Sequence, residues 1–368
     1  MDKAELERRV YAGEVLSRLT LDRAALDGAE LAGGVFDRCS FRGASLVSAS
    51  LREAIFTSCE FSTADLRGAN LRHATFHGCA LEDTRLTGAS APLARFLEGA
   101  LPRAAFDECE LLMTTFAGSN LEGASFARSD LDRAQLLDCR VLRVDLTGAK
   151  LPGATIYKGD LRETGLRGAA LSATLLLGCD LRGADLSGLE LELCQLQDAD
   201  LRGARLDGAK LAQCNLKGAR LEDASFEGVV APRALFAMTK LDRTNLAGAK
   251  LAESLFVEAR GRAASFASAD LTMAVLRESA LTDSSFRRAR LDFADLSRAL
   301  VRGSDFSGAS LKRARLHAIV EDGATFGPER ALAVSTDADL EEAEDWKPDP
   351  RLLDAPRRPV IRNGSASS

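Results

Sequence analysis

Leucine and phenylalanine recur along this chain at every fifth position. Of the 63 residues spaced by five from Leu16 to Phe326, 56 are Leu or Phe. The exceptions are Ala91, Val141, Ile156, Ala231, Gly261, Val301 and Glu321, and of the Phe residues only Phe293 lies off the lattice. No insertion or deletion shifts the register. Two residues before each large centre stands a small one, usually Ala, Ser, Thr or Cys. Two residues after it stands Gly, in 23 of the 30 places where Gly occurs. A period of five fits neither the helical turn of about 3.6 residues nor the two-residue alternation of a plain strand. One large and one small inward position instead alternate with three outward ones. The glycines mark a site of positive φ, so each pentad ends in a tight turn.

Segments such as Asp180–Leu189, DLRGADLSGL, and Asp200–Leu211, DLRGARLDGAKL, carry the pattern cleanly. It resembles that of the pentapeptide repeat family, A(D/N)LXX, over residues 20–327. The resemblance implies an all-β solenoid: a right-handed, quadrilateral parallel β-helix with four pentads to a coil and short helical caps. About 15 coils at the roughly 4.8 Å inter-strand spacing make a rod on the order of 70–75 Å long. A chain of 368 residues ordinarily divides into two or three domains. Here the lattice points to one elongated unit, because each coil buries its centres only against its neighbours.

An open solenoid needs caps at both ends. Residues 1–19 read as an N-terminal helical cap, with Asp2 as N-cap and Leu6, Val10, Tyr11 and Leu16 on the apolar side. At the other end Glu321 breaks the lattice and Gly327-Pro328 stops it. Residues 328–345 read as a C-terminal helical cap, with a short acidic helix starting at Thr336-Asp337 and running through Glu344. From Trp346 the chain has four prolines and a small polar end, so 346–368 read as a flexible tail. Trp346 either packs over the last coil or anchors a partner peptide, and packing is favoured on hydrophobic grounds.

Composition narrows the chemistry. The net charge of −6, from 48 basic and 54 acidic residues, gives no basic patch for direct nucleic-acid binding. No apolar run approaches the roughly 18 residues of a membrane span. The opening MDKAELERRV lacks the apolar core of a secretory signal, so the expected compartment is the cytoplasm. All eight cysteines, from Cys39 to Cys214, occupy the small inward position. Cys39, Cys59 and Cys79 stack with parallel Cβ vectors, a poor disulfide geometry, and no zinc-type spacing occurs, so they read as core residues. His73 and His77 lie at outward positions without a ligand constellation, and His317 stands apart. No metal, cofactor or catalytic residue is expected, since nucleophile-elbow, Walker and HExxH motifs are all missing. The chain reads as a non-enzyme.

Function is therefore sought on the outer surface. We name the faces by their centres: A holds Leu21, B Leu26, C Leu31 and D Phe36, each recurring every 20 residues. Over 15 coils, face A carries 27 charged outward residues and face D only 14. Large apolar outward residues number two on A, one on B, seven on C and 12 on D. Strand propensity acts on all faces alike, so this asymmetry marks faces C and D as a protein-binding surface, for a partner or for self-association. Its candidate residues are Ile55, Leu97, Leu112, Met113, Leu137, Tyr157, Leu175, Leu177, Leu193, Leu235, Met238, Leu255, Val257 and Val275. Leu93, Val230, Met273 and Phe293 add to face C.

The family resemblance supplies two settings. Some members bind DNA gyrase as DNA mimics and protect it from quinolones, which requires a strongly negative surface. Residues 20–327 sum to about −3, and the uninterrupted register lacks the loop insertions of many quinolone-resistance members. The layout, a short helix running into a long unbroken rod, is also similar to that of pentapeptide repeat proteins associated with bacterial type VI secretion. A non-catalytic scaffold or adaptor is the expectation, with a topoisomerase modulator as the alternative.

Overall fold

The computed structural model describes residues 1–345; the tail 346–368 and Trp346 lie outside the described residues. The chain winds into a parallel β-solenoid of about 16 turns with few helices. Helix α1 (Lys3–Tyr11) leads into β1 (Val15–Ser17), the first of nine three-residue strands stacked in order on face D. These continue as β2 (Val35–Asp37), β3 (Ile55–Thr57), β4 (Thr75–His77), β5 (Arg95–Leu97), β6 (Thr115–Ala117), β7 (Gln135–Leu137), β8 (Thr155–Tyr157) and β9 (Leu175–Leu177). Every pairing joins residues 20 apart, as in Phe36 with Phe56. Faces A, B and C pair through single bridges in the same register, such as Thr20 with Ser40, Ala25 with Ser45 and Glu30 with Ser50. Further along, wider strands move to face A in β10 (Arg260–Arg262) and β11 (Ala280–Thr282), then to face B in β12 (Asp305–Phe306) and β13 (Thr325–Phe326).

Most corners are local β-turns. The amide of the small inward residue donates to the preceding centre's carbonyl, as Ala24 does to Leu21 at 3.1 Å. The residue two after the centre sits at positive φ, as a type II turn requires. Among the described residues, 23 glycines and 39 others have positive φ, Arg23 at 56° among them. An L-residue there costs about 1–2 kcal/mol. The cost is offset because the same amide joins the inter-coil ladder, as Arg23 does to the Arg42 carbonyl at 2.9 Å. Face D of the first nine coils turns differently. The Cys39 amide donates to Cys59 Sγ at 3.4 Å and the Gly99 amide to Ser119 Oγ at 3.1 Å, so at these positions the stacked side chain replaces the turn carbonyl.

Inside, the Leu and Phe centres from Leu16 to Leu316 are buried. Phe36, Phe56, Phe76, Phe96 and Phe116 form one continuous stack on face D, with ring centroids 4.9–5.0 Å apart. Phe41 and Phe61 stack on face A and meet that column edge-on. Between Leu131 and Leu221 no centre is aromatic, and within that stretch the ladder loosens between Val141 and Gly168. The amides of Leu121, Gly123, Leu146 and Gly148 donate to the following coil. Those of Val141, Arg143, Leu166 and Gly168 donate to no backbone carbonyl of that coil. Two lattice exceptions meet at this place: a Cβ on Gly159 would lie 2.8 Å from Ile156 Cγ2 and 2.9 Å from Val141 Cγ2. The β-branched centres fill space that the small inward residue normally takes.

The ends close by different means. Asp2 accepts from the Glu5 amide at 2.8 Å, and Leu6 and Val10 seal the first coil. Glu7 accepts the Glu30 amide at 3.0 Å and Lys3 donates to the Asp27 carbonyl at 2.8 Å, meeting backbone groups with no earlier coil to pair with. The helix is shorter than its apolar pattern implied: Tyr11 is exposed and Leu16 is already the centre of β1. At the far end Phe326 still stacks on Phe306 at 4.6 Å. A short 3-10 helix (Pro328–Leu332) then replaces the next pentad, and Val334 pairs with Arg315. Helix α2 (Ala338–Asp345) follows.

Candidate protein-binding face

The lattice places all 14 candidate residues on the outer wall of faces C and D and their shared corner. Ile55, Leu112, Met113, Tyr157, Leu193, Met238 and Leu255 are exposed, and Leu97, Leu137, Leu175, Leu177, Leu235, Val257 and Val275 are half-buried. The half-burial comes from the coils above and below, which cover each side chain's flanks.

Register brings these residues into separate groups. In the first, the pairings of β5 through β9 align Leu97, Ala117, Leu137, Tyr157 and Leu177 into one strip, with Leu175 beside it. In the second, Leu235 bridges Leu255, which bridges Val275, with Val257 and Met238 alongside. A polar belt divides them: Gln197 Nε2 donates to Gln195 Oε1 at 3.1 Å, and Asn215 Nδ2 reaches the same oxygen at 3.3 Å. Ile55 belongs to a small column with Val15 and Val35 at the N-terminal end. Leu112 and Met113 share the C–D corner with Leu93, whose amide donates to the Leu112 carbonyl at 2.9 Å. Leu193 stands on that corner between Ala173 and Gln213. Met273 and Phe293, at 54% and 44% exposure, extend the second group, and so does Val334 at 55%. Val334 carried no signal in the lattice, because the register ends before it.

Face A presents the opposite chemistry. Arg162 holds Asp160 at 2.7 Å and reaches Asp180 at 3.4 Å; Arg182 holds Asp180 at 2.7 Å, and Arg202 holds Asp200 at 2.6 Å. The Arg182 hydrogen bond holds the Asp180 carboxyl below the usual carboxylate range. Charges of opposite sign therefore neutralise one another along the rod.

The cysteines contribute to the wall from within. All eight are free, seven buried and Cys139 half-buried. Cys109 Sγ donates to the Leu86 carbonyl at 3.0 Å and Cys179 Sγ to Ile156 at 3.3 Å, the bond that Thr84 Oγ1 makes to Phe61 at 2.9 Å. Burial pushes the Cys109 and Cys179 thiols up to about 12. His77 lies 3.7 Å from Glu98, and the described residues contain no cluster of metal-ligating side chains. Nor do they contain a helix long and apolar enough to cross a membrane.

A coil that closes every 20 residues, with inward Leu or Phe centres and outward polar triplets, defines a four-sided repeat solenoid. The family model for pentapeptide repeats matches eight copies, over residues 21–57, 49–88, 109–148, 164–203, 194–230, 239–277 and 284–318. The chain belongs to the pentapeptide repeat family. No curated protein matches it. Among solved structures it is similar to a trypsin-treated form of QnrB1, a plasmid-mediated fluoroquinolone resistance protein, with 20% identity, 52% of this chain and 90% of that chain covered, and a TM-score of 0.25. It is also similar to HetL, a pentapeptide repeat protein involved in heterocyst differentiation regulation in the cyanobacterium Nostoc sp. strain PCC 7120. There the identity is 25%, with 85% of this chain and 96% of that chain covered and a TM-score of 0.17. Rfr23 from the cyanobacterium Cyanothece 51142 is 18% identical, with 40% and 91% covered and a TM-score of 0.19.

Proposed function

We propose that the chain is a non-catalytic scaffold that holds a protein partner, or a second copy of itself, through the apolar wall of faces C and D. One observation carries this reading: register stacks Leu97, Ala117, Leu137, Tyr157 and Leu177 into one apolar strip on the outside of a core that is already complete. Such a strip adds nothing to the packing inside, and contiguous exposed apolar surface marks interaction sites. The layout of short helix and long unbroken rod supports placing the scaffold alongside type VI secretion components. The test replaces Leu137, Tyr157, Leu177 and Leu255 by Asp and compares partner capture and sedimentation mass with wild type. Loss of a captured partner or of an oligomer supports the reading, and identical behaviour of all four variants overturns it.

The family's gyrase-binding role finds less support. A DNA mimic needs unpaired negative charge at phosphate-like spacing, whereas the carboxylates of Asp160, Asp180 and Asp200 are held by arginines. Purified gyrase supercoiling, with and without a quinolone, should be unchanged by this protein.

A further inference from the structure

The C-terminal end of face D differs from the rest of the apolar wall. Register stacks Arg277, Ser297 and His317 in one column and Val275, Asp295 and Arg315 in the next, with Arg298 at the corner. Two adjoining cavities open on these columns. One, of about 300 Å³, is lined by Arg277, Arg298, Arg315 and His317, with Asp295 and Asp337 on its wall. The other, of about 490 Å³, is lined by Val275, Phe293, Arg313, Arg315 and Val334 as well as Asp295. Arg277, Arg313 and Arg315 are exposed and make no ion pair among the described residues, unlike the arginines of face A. The Asp295 carboxylate between them is already engaged, accepting from the Ser297 amide at 3.0 Å and its hydroxyl at 2.5 Å. Arg277, Arg313 and Arg315, without an ion pair among the described residues, thus border exposed apolar side chains.

We propose that this end of face D docks an acidic peptide segment carrying an aromatic or branched aliphatic side chain. Its carboxylates meet Arg277, Arg313 and Arg315, and its apolar side chain lies against Phe293, Val275 and Val334. Charge complementarity chooses the occupant: guanidinium forks bind carboxylates, and the apolar border rewards a side chain rather than solvent. Asp295 and Asp337, set among the arginines, disfavour a continuous phosphate backbone more than carboxylates spaced along a chain, which can meet the arginines singly. The segments of Val275, Asp295 and Arg315 are bridged on both sides, so an added strand finds no free edge between them, and recognition there falls to side chains.

The inference rests on the scaffold reading and names the partner chemistry at one place on that wall. The test uses the full chain and fluorescence anisotropy of a short labelled peptide in which Asp and Glu flank a Phe-Leu pair. Controls are the same peptide with Ser-Ser in place of the pair, and a short single-stranded oligonucleotide. The expected result is saturable binding, weakened about fivefold or more both by the Arg277→Gln/Arg315→Gln double variant and by Phe293→Ser, and reduced by salt. The remote face A variant Arg182→Gln should leave it unchanged. Circular dichroism establishes that the variants are folded, as substitution of exposed side chains predicts. No binding, equal binding by the variants, or equal binding of either control overturns the proposal. If the peptide does not bind while Leu137→Asp abolishes partner capture, this inference falls and the scaffold reading stands.

Discussion

Phe56 is the place to test how the rod is held together. Its ring is buried, stacked 4.9 Å from both Phe36 and Phe76, and meets Phe41 and Phe61 edge-on at 5.9 and 5.0 Å. Truncating a core Phe to Ala costs about 3–5 kcal/mol. Aromatic pairs contribute about 0.5–1.5 kcal/mol beyond their area, so four ring contacts put Phe56→Ala in the upper part of that range. Phe56→Leu keeps most of the burial, fits a lattice that takes Leu at most of its positions, and should cost about 1–2 kcal/mol. Each coil touches only its neighbours, so the loss should stay local. A single denaturation midpoint registers such a loss but is not the readout that locates it along the chain. Hydrogen exchange resolved along the sequence is the right one. In Phe56→Ala, protection should fall about a hundredfold or more in the coils holding Phe36 through Phe76, with the coils beyond Leu196 unchanged. A loss spread evenly along the rod, or an Ala variant no worse than Leu, would refute the reasoning.

Other expectations follow from the same geometry. Gly248 has φ near 66° and open space around it, whereas a Cβ on Gly261 would lie 2.7 Å from Leu241 Cβ and 2.9 Å from its backbone carbonyl oxygen. Gly248→Ala should therefore cost only the roughly 1–2 kcal/mol of a left-handed L-residue, and Gly261→Ala distinctly more, as thermal melts of the two will show. The Cys109 and Cys179 thiols, raised to about 12 by burial, stay protonated in the fold while an unfolded thiol ionises near its ordinary value. Their contribution is fully present below that value and is lost as pH rises towards 12, so melting temperature should fall above about pH 9 and fall less in Cys109→Ala/Cys179→Ala. In native labelling with a thiol reagent, Cys139, the half-buried one, should react first. The amides of Val141, Arg143, Leu166 and Gly168, which lack their ladder carbonyls, should exchange faster than those of Leu121, Gly123, Leu146 and Gly148. Equal rates would show the ladder to be unbroken there.

Particular residues mark where the sequence could be read and where it could not. Leu16 lies on the lattice of five but reads as part of the N-terminal helix, whereas it is the centre of β1. Counting by five and by 20 predicts that Leu137 and Tyr157 share a face and stand side by side. Tyr11 looked apolar enough to pack under the first coil, but α1 ends there and turns it to solvent, because Leu6 and Val10 already fill that end. The cysteines were legible as inward residues. Their use as hydrogen-bond acceptors for Cys39 and Cys59 at the face D corner was not, since it depends on the atom stacked from the next coil. Val334 gave no signal, because a 3-10 helix rather than a pentad sets its position.

By itself the sequence determined the five-residue period and its inward and outward positions, while the family resemblance implied the solenoid and the 20-residue coil through which the uneven chemistry of the faces is read. The period follows from a turn that closes within each pentad and repeats without interruption, so local spacing fixes which side chains point inward. The tertiary structure decided the rest: the gap in the ladder around Val141 and Gly159, the division of the apolar wall by Gln195 and Asn215, and the meeting of Arg277, Arg315, Phe293 and Val334 at the closed end. Each depends on which atoms adjacent coils and caps bring together across distances that no local period encodes.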